Sequence, residues 1–290
     1  MKTGIILGSP TIAGQIATAR RAEAAGFESV WTTEFFNAHG LVRLAAVATA
    51  TERVKLGTAI AYAFMRTPML AASAAMDIDE ISGGRMILGL GSGTERMNKD
   101  WYAMPFDDPP APRIKDAIGL IRAAIAAQKG GGLKYDGPYY QVKIPAYGRP
   151  RAARRSIPVC LAAVNKGMIR AAAATADGLI GHPVFTRKYI TEVVLPELQG
   201  SRCELLPYVI TAVADSTARI LLANYPGGEL AAEAWLTRAD LAEEAGSFDR
   251  ALEYLERVVS GHDQDRRAPG ALLRAGRIFR QELAQPEEAL

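Results

Sequence analysis

Up to about residue 215, short β-branched apolar runs alternate with longer segments in which apolar residues recur every three or four positions. The first pattern is typical of strands that are buried on both faces, and the second is typical of helices. Strands are predicted at residues 3–7, 29–32, 54–60, 85–90, 158–164, 178–181 and 204–213. Helices are predicted between them at residues 12–25, 41–51, 69–81, 113–128, 166–176 and 187–198. This alternation predicts an α/β fold with a parallel sheet.

Two regions depart from the alternation. Residues 130–157 are rich in Gly, Pro, Tyr and Arg, and we predict a long insertion that lies over or beside the functional site. Residues 218–225, 231–245, 248–260 and 270–283 are predicted to be helical, with no strand between them. Around Trp235, Gly246 and Phe248 this tail resembles a tetratricopeptide repeat, in which small residues let paired helices approach closely. We therefore predict a first domain at residues 1–215 and a helical tetratricopeptide-like segment at 216–290.

Composition narrows the classes of function. The chain has 290 residues, 49% of them apolar, and a net charge of +3. The basic excess lies before Thr217; it suits an anionic cofactor but is too small for a nucleic-acid-binding protein. No apolar run reaches the roughly 20 residues of a membrane-spanning helix. Cys160 and Cys203 have neither zinc nor redox spacing, so we expect reduced core residues in a cytoplasmic protein.

The carboxyl ends of the strands are where a β/α barrel carries its chemistry. After the second strand, Glu34 and His39 are candidate proton carriers; the alternative is a helix cap beside a surface histidine. After the third strand, Tyr62 is a candidate substrate contact, and the alternative is a buried aromatic residue. His182 follows the sixth strand and is either structural or substrate-facing. Nothing fixes the spacing of these groups as a zinc site, so no metal is predicted.

Two further strand ends favour a planar or phosphorylated ligand. Gly89, Gly91 and Gly93 give a backbone that such a ligand approaches closely. They are not the dinucleotide-binding fingerprint, because its third glycine is missing and no helix begins at once. After the fifth strand, small residues and Asn165 precede a helix whose first backbone N–H groups are free to bind a phosphate.

Several of these runs together resemble a known family. The runs are 26–34, 56–64, 68–76, 79–93, Asn98, 158–165 and 176–178. In order and spacing they resemble the luciferase-like monooxygenase superfamily, and within it the branch that depends on coenzyme F420, over about residues 3–215. The resemblance implies a TIM-type (β/α)8 barrel that holds a deazaflavin or FMN at its mouth. It also implies an oxidoreductase that transfers a hydride between coenzyme F420 and a small organic substrate.

The resemblance also implies roles for individual residues. The peptide bond between Ala59 and Ile60 matches a non-proline cis bond that supports the cofactor ring in relatives. Glu34 matches an acidic or histidine position beside the cofactor's reactive carbon. The positions that match cofactor contacts in relatives are Ala59, Ile60, Gly91, Ser92, Gly93, Asn98, Ala162, Ala163, Asn165 and Gly167.

The sequence departs from the family's pattern near its end. After residue 215 we find no convincing eighth strand, and helix suits the only candidate, residues 219–223, better. An incomplete barrel has open edges. Three alternatives follow: the helical tail plugs the barrel, a partner or a second copy completes it, or the chain is a recombined product that folds poorly. Two alternatives remain: an FMN-dependent monooxygenase on the same fold, and an inactive barrel that serves as a scaffold or binding module. Neither nucleic acid nor a membrane is expected as a partner.

Overall fold

The computed structural model describes residues 3–149, 154, 156–209, 231–262 and 264–281. The chain divides into two compact units, Met1–Val209 and Ile210–Leu290. The domain boundary predicted at residue 215 lies outside the described residues, as do the candidate eighth strand at 219–223 and the predicted helix at 218–225.

A parallel sheet forms the centre of the first unit. Its first five strands are β1 (Gly4–Ile6), β2 (Ser29–Thr32), β3 (Lys55–Thr58), β4 (Ala61–Tyr62) and β5 (Met86–Gly91). A separate hairpin of β6 (Leu133–Asp136) and β7 (Gln141–Ile144) comes next in the chain. The sheet then continues with β8 (Val159–Ala162), β9 (Gly178–Ile180) and β10 (Glu204–Leu206). The order is β1-β2-β3-β5-β8-β9-β10, and β4 extends the line of β3 beside the end of β5. All seven predicted strands are present. Within the described residues β1 pairs only with β2 and β10 only with β9, so the sheet is a curled part of a barrel.

Helices cover the sheet where the sequence predicts them. They are α1 (Ile12–Ala24), α2 (Gly40–Ala48), α3 (Pro68–Ile81), α4 (Pro110–Ala127), α5 (Lys166–Thr175), α6 (Arg187–Tyr189) and α7 (Leu195–Leu198); a π-helical turn, Ile190–Val194, joins the last two. A second π-helical turn, Met97–Trp101, follows β5. Side-chain caps fix the N-terminal ends of α1 and α3. The Thr11 hydroxyl accepts the N–H of Gly14 at the start of α1, and Thr67 precedes Pro68 at the first position of α3.

The core lies between the sheet and these helices. Val30, Leu56, Leu88, Leu161 and Leu179 are fully buried on the strands, as the apolar runs predict for a sheet that is covered on both faces. β3 and β5 approach so closely that the Thr58 hydroxyl donates to the carbonyl of Gly89, 2.7 Å away, and accepts its N–H at 3.0 Å. This contact fixes the register of β3 against β5, and therefore the relative positions of the loops that follow the two strands.

The insertion is more ordered than the sequence predicts. Instead of a loop, it contains the antiparallel hairpin of β6 and β7. Buried Asp116 on α4 anchors this hairpin, because its carboxylate accepts the Tyr135 hydroxyl at 2.7 Å and the N–H groups of Tyr139 and Tyr140 at 2.8 and 2.9 Å. Its strands alternate between apolar and polar residues but are only four residues long, and so short an alternation is a weak signal in a segment rich in Gly, Pro and Arg.

The second unit contains three described helices, α8 (Ala231–Glu244), α9 (Phe248–Gly261) and α10 (Ala268–Gln281). They pack around Ala239, Ala251, Leu255 and Ile278, which are all buried. Gly246, at a φ of +68°, lets the chain turn between α8 and α9. The predicted helices at these positions are confirmed, and their tetratricopeptide character stays a prediction.

No helix in the described part of the chain is both long enough and apolar enough to cross a membrane.

We predict that Gly89→Ala destabilises the first unit by about 3 kcal/mol, measured by urea unfolding. A Cβ at this position would lie 1.8 Å from the Thr58 carbonyl oxygen, so β3 and β5 would have to separate. Gly8→Ala is the matched control, because a Cβ there meets no atom within 4 Å; we expect a change within about 0.5 kcal/mol. Equal losses in the two variants would contradict the close approach of β3 and β5.

Candidate active site

The carboxyl ends of β2, β3 and β5 meet at one edge of the sheet, and the cis peptide bond lies there. The bond joins Ala59 and Ile60, as predicted. Ala59 donates its N–H to the carbonyl of Thr32 at 2.8 Å, and the carbonyl of Ile60 accepts the N–H of Glu34 at 3.2 Å. Ala59 and Ile60 are both partly exposed. The segment between β3 and β4 is therefore held by the end of β2 and is still accessible to a ligand.

Glu34 is the central polar group of this edge. Its side chain is only 4% exposed. One carboxylate oxygen accepts the N–H of Tyr62 at 2.9 Å, and the other forms an ion pair with the guanidinium of Arg66. Arg66 also donates to the carbonyl of Tyr62, 3.2 Å away. Both oxygens of Glu34 are thus occupied, and the group joins β2 to β4 and to the start of α3.

Arg66 is a site residue that the sequence analysis missed. It lies 32 residues after Glu34, just before the Thr67–Pro68 start of α3. A basic residue at such a helix start is common on protein surfaces. Only the fold shows that Arg66 is 12% exposed and paired with a buried carboxylate.

His39 lies beside Glu34 and caps α2. Its Nδ1 is 3.9 Å from the carboxylate of Glu34 and accepts the N–H of Val42 at 3.4 Å. The side chain is 53% exposed. His39 is thus itself the cap of α2 and is exposed, and its role as a proton carrier stays a prediction. Because Nδ1 is engaged with the helix, a proton exchanged with a ligand would pass through Nε2.

Tyr62 was predicted to face the substrate, and the structure corrects that prediction. The residue is 4% exposed, and its ring meets the ring of Tyr102 edge to face at a centroid distance of 5.8 Å. Burial, with smaller contributions from the charges of Tyr102 and Glu34, raises the pKa of Tyr62 to about 12. Tyr62 therefore contributes a neutral buried ring and a backbone N–H to the site.

The turn after β5 is supported from within. Asn98 is fully buried, and its amide nitrogen donates to the carbonyls of Ser92 and Thr94 at 2.9 and 2.8 Å. The amide nitrogen of Asn98 thus shapes the turn, whereas its Oδ1 is buried without a hydrogen-bond partner in the described part of the chain, and the predicted contact with the cofactor stays a prediction. A Cβ on Gly91 would lie 2.0 Å from Cδ1 of Ile60, so this glycine makes room for the Ile60 side chain. Ser92 and Gly93 remain partly exposed at the rim.

The start of α5 provides an exposed anion-binding geometry. The side-chain Oδ1 of Asn165 accepts the N–H of Met168 at 3.0 Å, and Asn165, Lys166 and Gly167 are exposed. Ala162 is partly exposed, whereas Ala163 is buried. The first backbone N–H groups of a helix and a neighbouring ammonium group favour a phosphate.

His182 is exposed after β9, where its Nδ1 accepts the N–H of Val184 at 3.3 Å. The described residues contain no group of three or more His, Cys, Asp and Glu side chains arranged to hold a metal ion. Burial raises the pKa of the Cys160 thiol to about 12 and that of Cys203 to about 11. Both thiols are therefore protonated core groups at neutral pH.

The fold and this edge of the sheet define a class of protein. The model of the luciferase-like monooxygenase family matches residues 2–272, and the chain belongs to this family. The match extends beyond residue 215, where the resemblance was expected to end. It therefore includes most of the described helices of the second unit.

Particular relatives are similar over only part of their length. An uncharacterised protein of Mycobacterium tuberculosis is 37% identical over 196 residues, which are 65% of this chain and 57% of that protein. The F420-dependent glucose-6-phosphate dehydrogenase of Beutenbergia cavernae is 33% identical over 190 residues, which are 61% of this chain and 54% of that enzyme. The chain thus spans little more than half the length of these relatives.

A solved structure supports the same fold. The coenzyme F420-dependent tetrahydromethanopterin reductase of Methanopyrus kandleri superposes with a TM-score of 0.66. The alignment covers 99% of this chain and 90% of that one, at 20% identity. At this identity the likeness establishes the α/β fold, with its curled parallel sheet and the helices that follow.

We predict strong coupling between Glu34 and Arg66. Glu34→Gln and Arg66→Met each leave a charge without its partner in a mostly buried site, so each should cost about 3 kcal/mol in urea unfolding at pH 7. The double variant should cost clearly less than the sum of the two. The matched control is Glu95→Gln, which breaks an exposed pair with Lys99 at 3.0 Å and should change stability by at most about 0.5 kcal/mol. Additive losses at Glu34 and Arg66 would contradict the ion pair.

We also predict a loss of stability at alkaline pH that depends on Tyr62. Its folded-state pKa of about 12 lies above the value of about 10 expected in the unfolded chain. The unfolded state therefore loses its proton first, and stability falls as pH rises above about 10. Between pH 9 and 11 this fall should be about 1 kcal/mol smaller for Tyr62→Phe than for the wild type. Tyr208→Phe, at an exposed tyrosine, is the control. Its stability should fall over this pH range as that of the wild type does.

Proposed function

We propose that this protein is a deazaflavin-dependent oxidoreductase that transfers a hydride between coenzyme F420 and a small organic substrate. The observation that carries the proposal is the exposed start of α5, where Asn165, Lys166 and Gly167 would bind a phosphate at the same sheet edge as the accessible Ala59–Ile60 segment. Membership of the luciferase-like family and the F420-dependent relative at 33% identity support the choice of cofactor.

The residues present fit such a cofactor. A deazaflavin carries a planar ring system and a phosphate. Ala59 and Ile60 offer a partly exposed, uncharged surface for the ring, and Ser92 and Gly93 border it on the side of β5. The start of α5 lies two strands further along the sheet from β3, at the carboxyl end of β8. Its first N–H groups and Lys166 supply the positive potential that a phosphate requires.

The bound deazaflavin would supply two-electron hydride chemistry. The role of the chain is to orient the reactants and to manage a proton. Glu34, held by Arg66 and the Tyr62 N–H, keeps the end of β2 and the segment before β4 in one arrangement. We propose that His39 exchanges a proton with the substrate through Nε2. The cap contact between Nδ1 and the N–H of Val42 orients the ring and leaves Nε2 free for this exchange. Glu34 is then a positioning residue and not the proton donor.

A second candidate is an FMN-dependent monooxygenase. The description of the family as luciferase-like monooxygenases favours it, and the phosphate of FMN would occupy the same start of α5. The two candidates differ in cofactor and in reaction, whereas an inactive scaffold would bind neither cofactor.

We predict that the purified chain binds coenzyme F420 in preference to FMN, measured by parallel fluorescence-quench titrations. Lys166→Glu should weaken F420 binding at least about tenfold, because it places a negative charge beside the phosphate. Lys134→Glu is the control, since it makes the same change on the exposed face of β6, and it should bind as the wild type does. Preferential FMN binding would favour the monooxygenase, and binding of neither cofactor would favour the scaffold.

A further inference from the structure

Three large aromatic side chains form one exposed cluster, the aromatic triad of Phe35, Phe36 and Trp101. They are 44%, 60% and 37% exposed. The ring centroids lie 4.9 Å apart between the two phenylalanines, and 5.1 and 5.4 Å from them to Trp101. Single exposed apolar residues are ordinary on a protein surface, but a contiguous aromatic group is typical of a binding surface.

The triad is preorganised by the backbone on both of its sides. Phe35 and Ala38 exchange two backbone hydrogen bonds, of 2.9 and 3.0 Å, which close a tight turn that carries Phe36. Trp101 ends the π-helical turn that follows β5, and buried Asn98 lies in that same turn. The three rings are therefore held in place before a ligand arrives, which lowers the entropic cost of binding.

The triad adjoins the Glu34 site from two directions. Phe35 directly follows Glu34 in the chain, and Trp101 directly precedes Tyr102, whose ring contacts Tyr62. One part of the triad follows β2 and the other follows β5, and β3, which ends in the Ala59–Ile60 segment, lies between these two strands. A substrate that contacts the triad is thus close to the proposed cofactor surface.

We propose that the aromatic triad is the subsite that binds a flat, apolar part of the organic substrate. This inference rests on the proposed function, since it assigns a substrate class to the same site. The planes of the three rings are inclined to one another by 46°, 59° and 75°, so the rings do not stack face to face. Their faces and edges therefore remain open to a further ring in an offset or edge-to-face arrangement. No member of the triad is charged, and the nearby Glu34 carboxylate is neutralised by Arg66.

The size of the cluster also argues for a small ligand. A stable interface between proteins uses about 20 to 30 residues on each side, whereas the triad has three, and its neighbours Thr33 and Asp100 are polar and exposed. A flat aromatic ring system matches the apolar, aromatic character of the triad.

The experiment measures binding of 2-naphthol, a flat bicyclic probe, and of cyclohexanol, a saturated one, by equilibrium dialysis. The variants are Phe36→Ala/Trp101→Ala and, as a matched control, Leu272→Ala/Leu273→Ala, which removes two exposed apolar side chains from α10. Each protein is also titrated with coenzyme F420 and analysed by sedimentation velocity. The F420 titration shows whether the active-site edge remains folded.

We expect the wild type and the α10 control to bind 2-naphthol in preference to cyclohexanol. The triad variant should bind 2-naphthol at least about tenfold more weakly, equivalent to about 1.4 kcal/mol, and should bind F420 as the wild type does. Unchanged 2-naphthol binding in the triad variant would overturn the subsite. Self-association of the wild type that the triad variant loses would also overturn it, because the triad would then be a contact between copies.

The outcomes separate this inference from the proposed function. If the wild type binds F420 but its 2-naphthol binding does not depend on the triad, only the subsite fails. If 2-naphthol binding depends on the triad but F420 does not bind, only the proposed function fails.

Discussion

The arrangement of the candidate active site depends on one buried carboxylate. Glu34 extends from the end of β2, and its two oxygens meet the N–H of Tyr62 and the guanidinium of Arg66. A buried charge is tolerated only where it is paired and hydrogen-bonded. Satisfying Glu34 therefore fixes three otherwise separate parts of the chain: the end of β2, the start of β4 and the residues before α3. The Ala59–Ile60 segment lies between them and takes its position from theirs.

The sheet supplies the second constraint on that position. Thr58 and Gly89 exchange hydrogen bonds across β3 and β5 at a separation that leaves no space for a Cβ. The positions of the loops after β3 and β5 are consequently set by contacts within the core and not by contacts at the surface. Asn98 continues the same arrangement beyond β5 by holding the carbonyls of Ser92 and Thr94. A ligand at this edge would meet a surface whose shape is decided by buried contacts.

The sequence predicts the fold of the first unit better than it predicts the site. The seven parallel strands are predictable because strands buried on both faces are continuous apolar runs. The hairpin of β6 and β7 escapes that pattern because its strands are short, alternate between apolar and polar residues, and are held through Asp116. The Ala59–Ile60 cis bond followed from the resemblance and not from residue chemistry. Arg66 and the interior position of Asn98 depend on contacts between separate loops, which periodicity along one chain does not encode.

The residues around Glu34 divide into an interior polar set and an exterior apolar set. Glu34 and Arg66 are largely buried and pair with each other, and buried Asn98 donates to the backbone, although its Oδ1 has no hydrogen-bond partner among the described residues. Phe35, Phe36 and Trp101 instead expose apolar surface to solvent. Folding alone would favour the reverse, because burying aromatic surface is favourable and burying charge is costly. In proteins, such local conflicts with the general rule are concentrated at functional sites. Buried charged groups and exposed aromatic side chains thus occur together at this edge of the sheet. Their presence is a physical reason, separate from the comparison with related proteins, for locating the function of the first unit there.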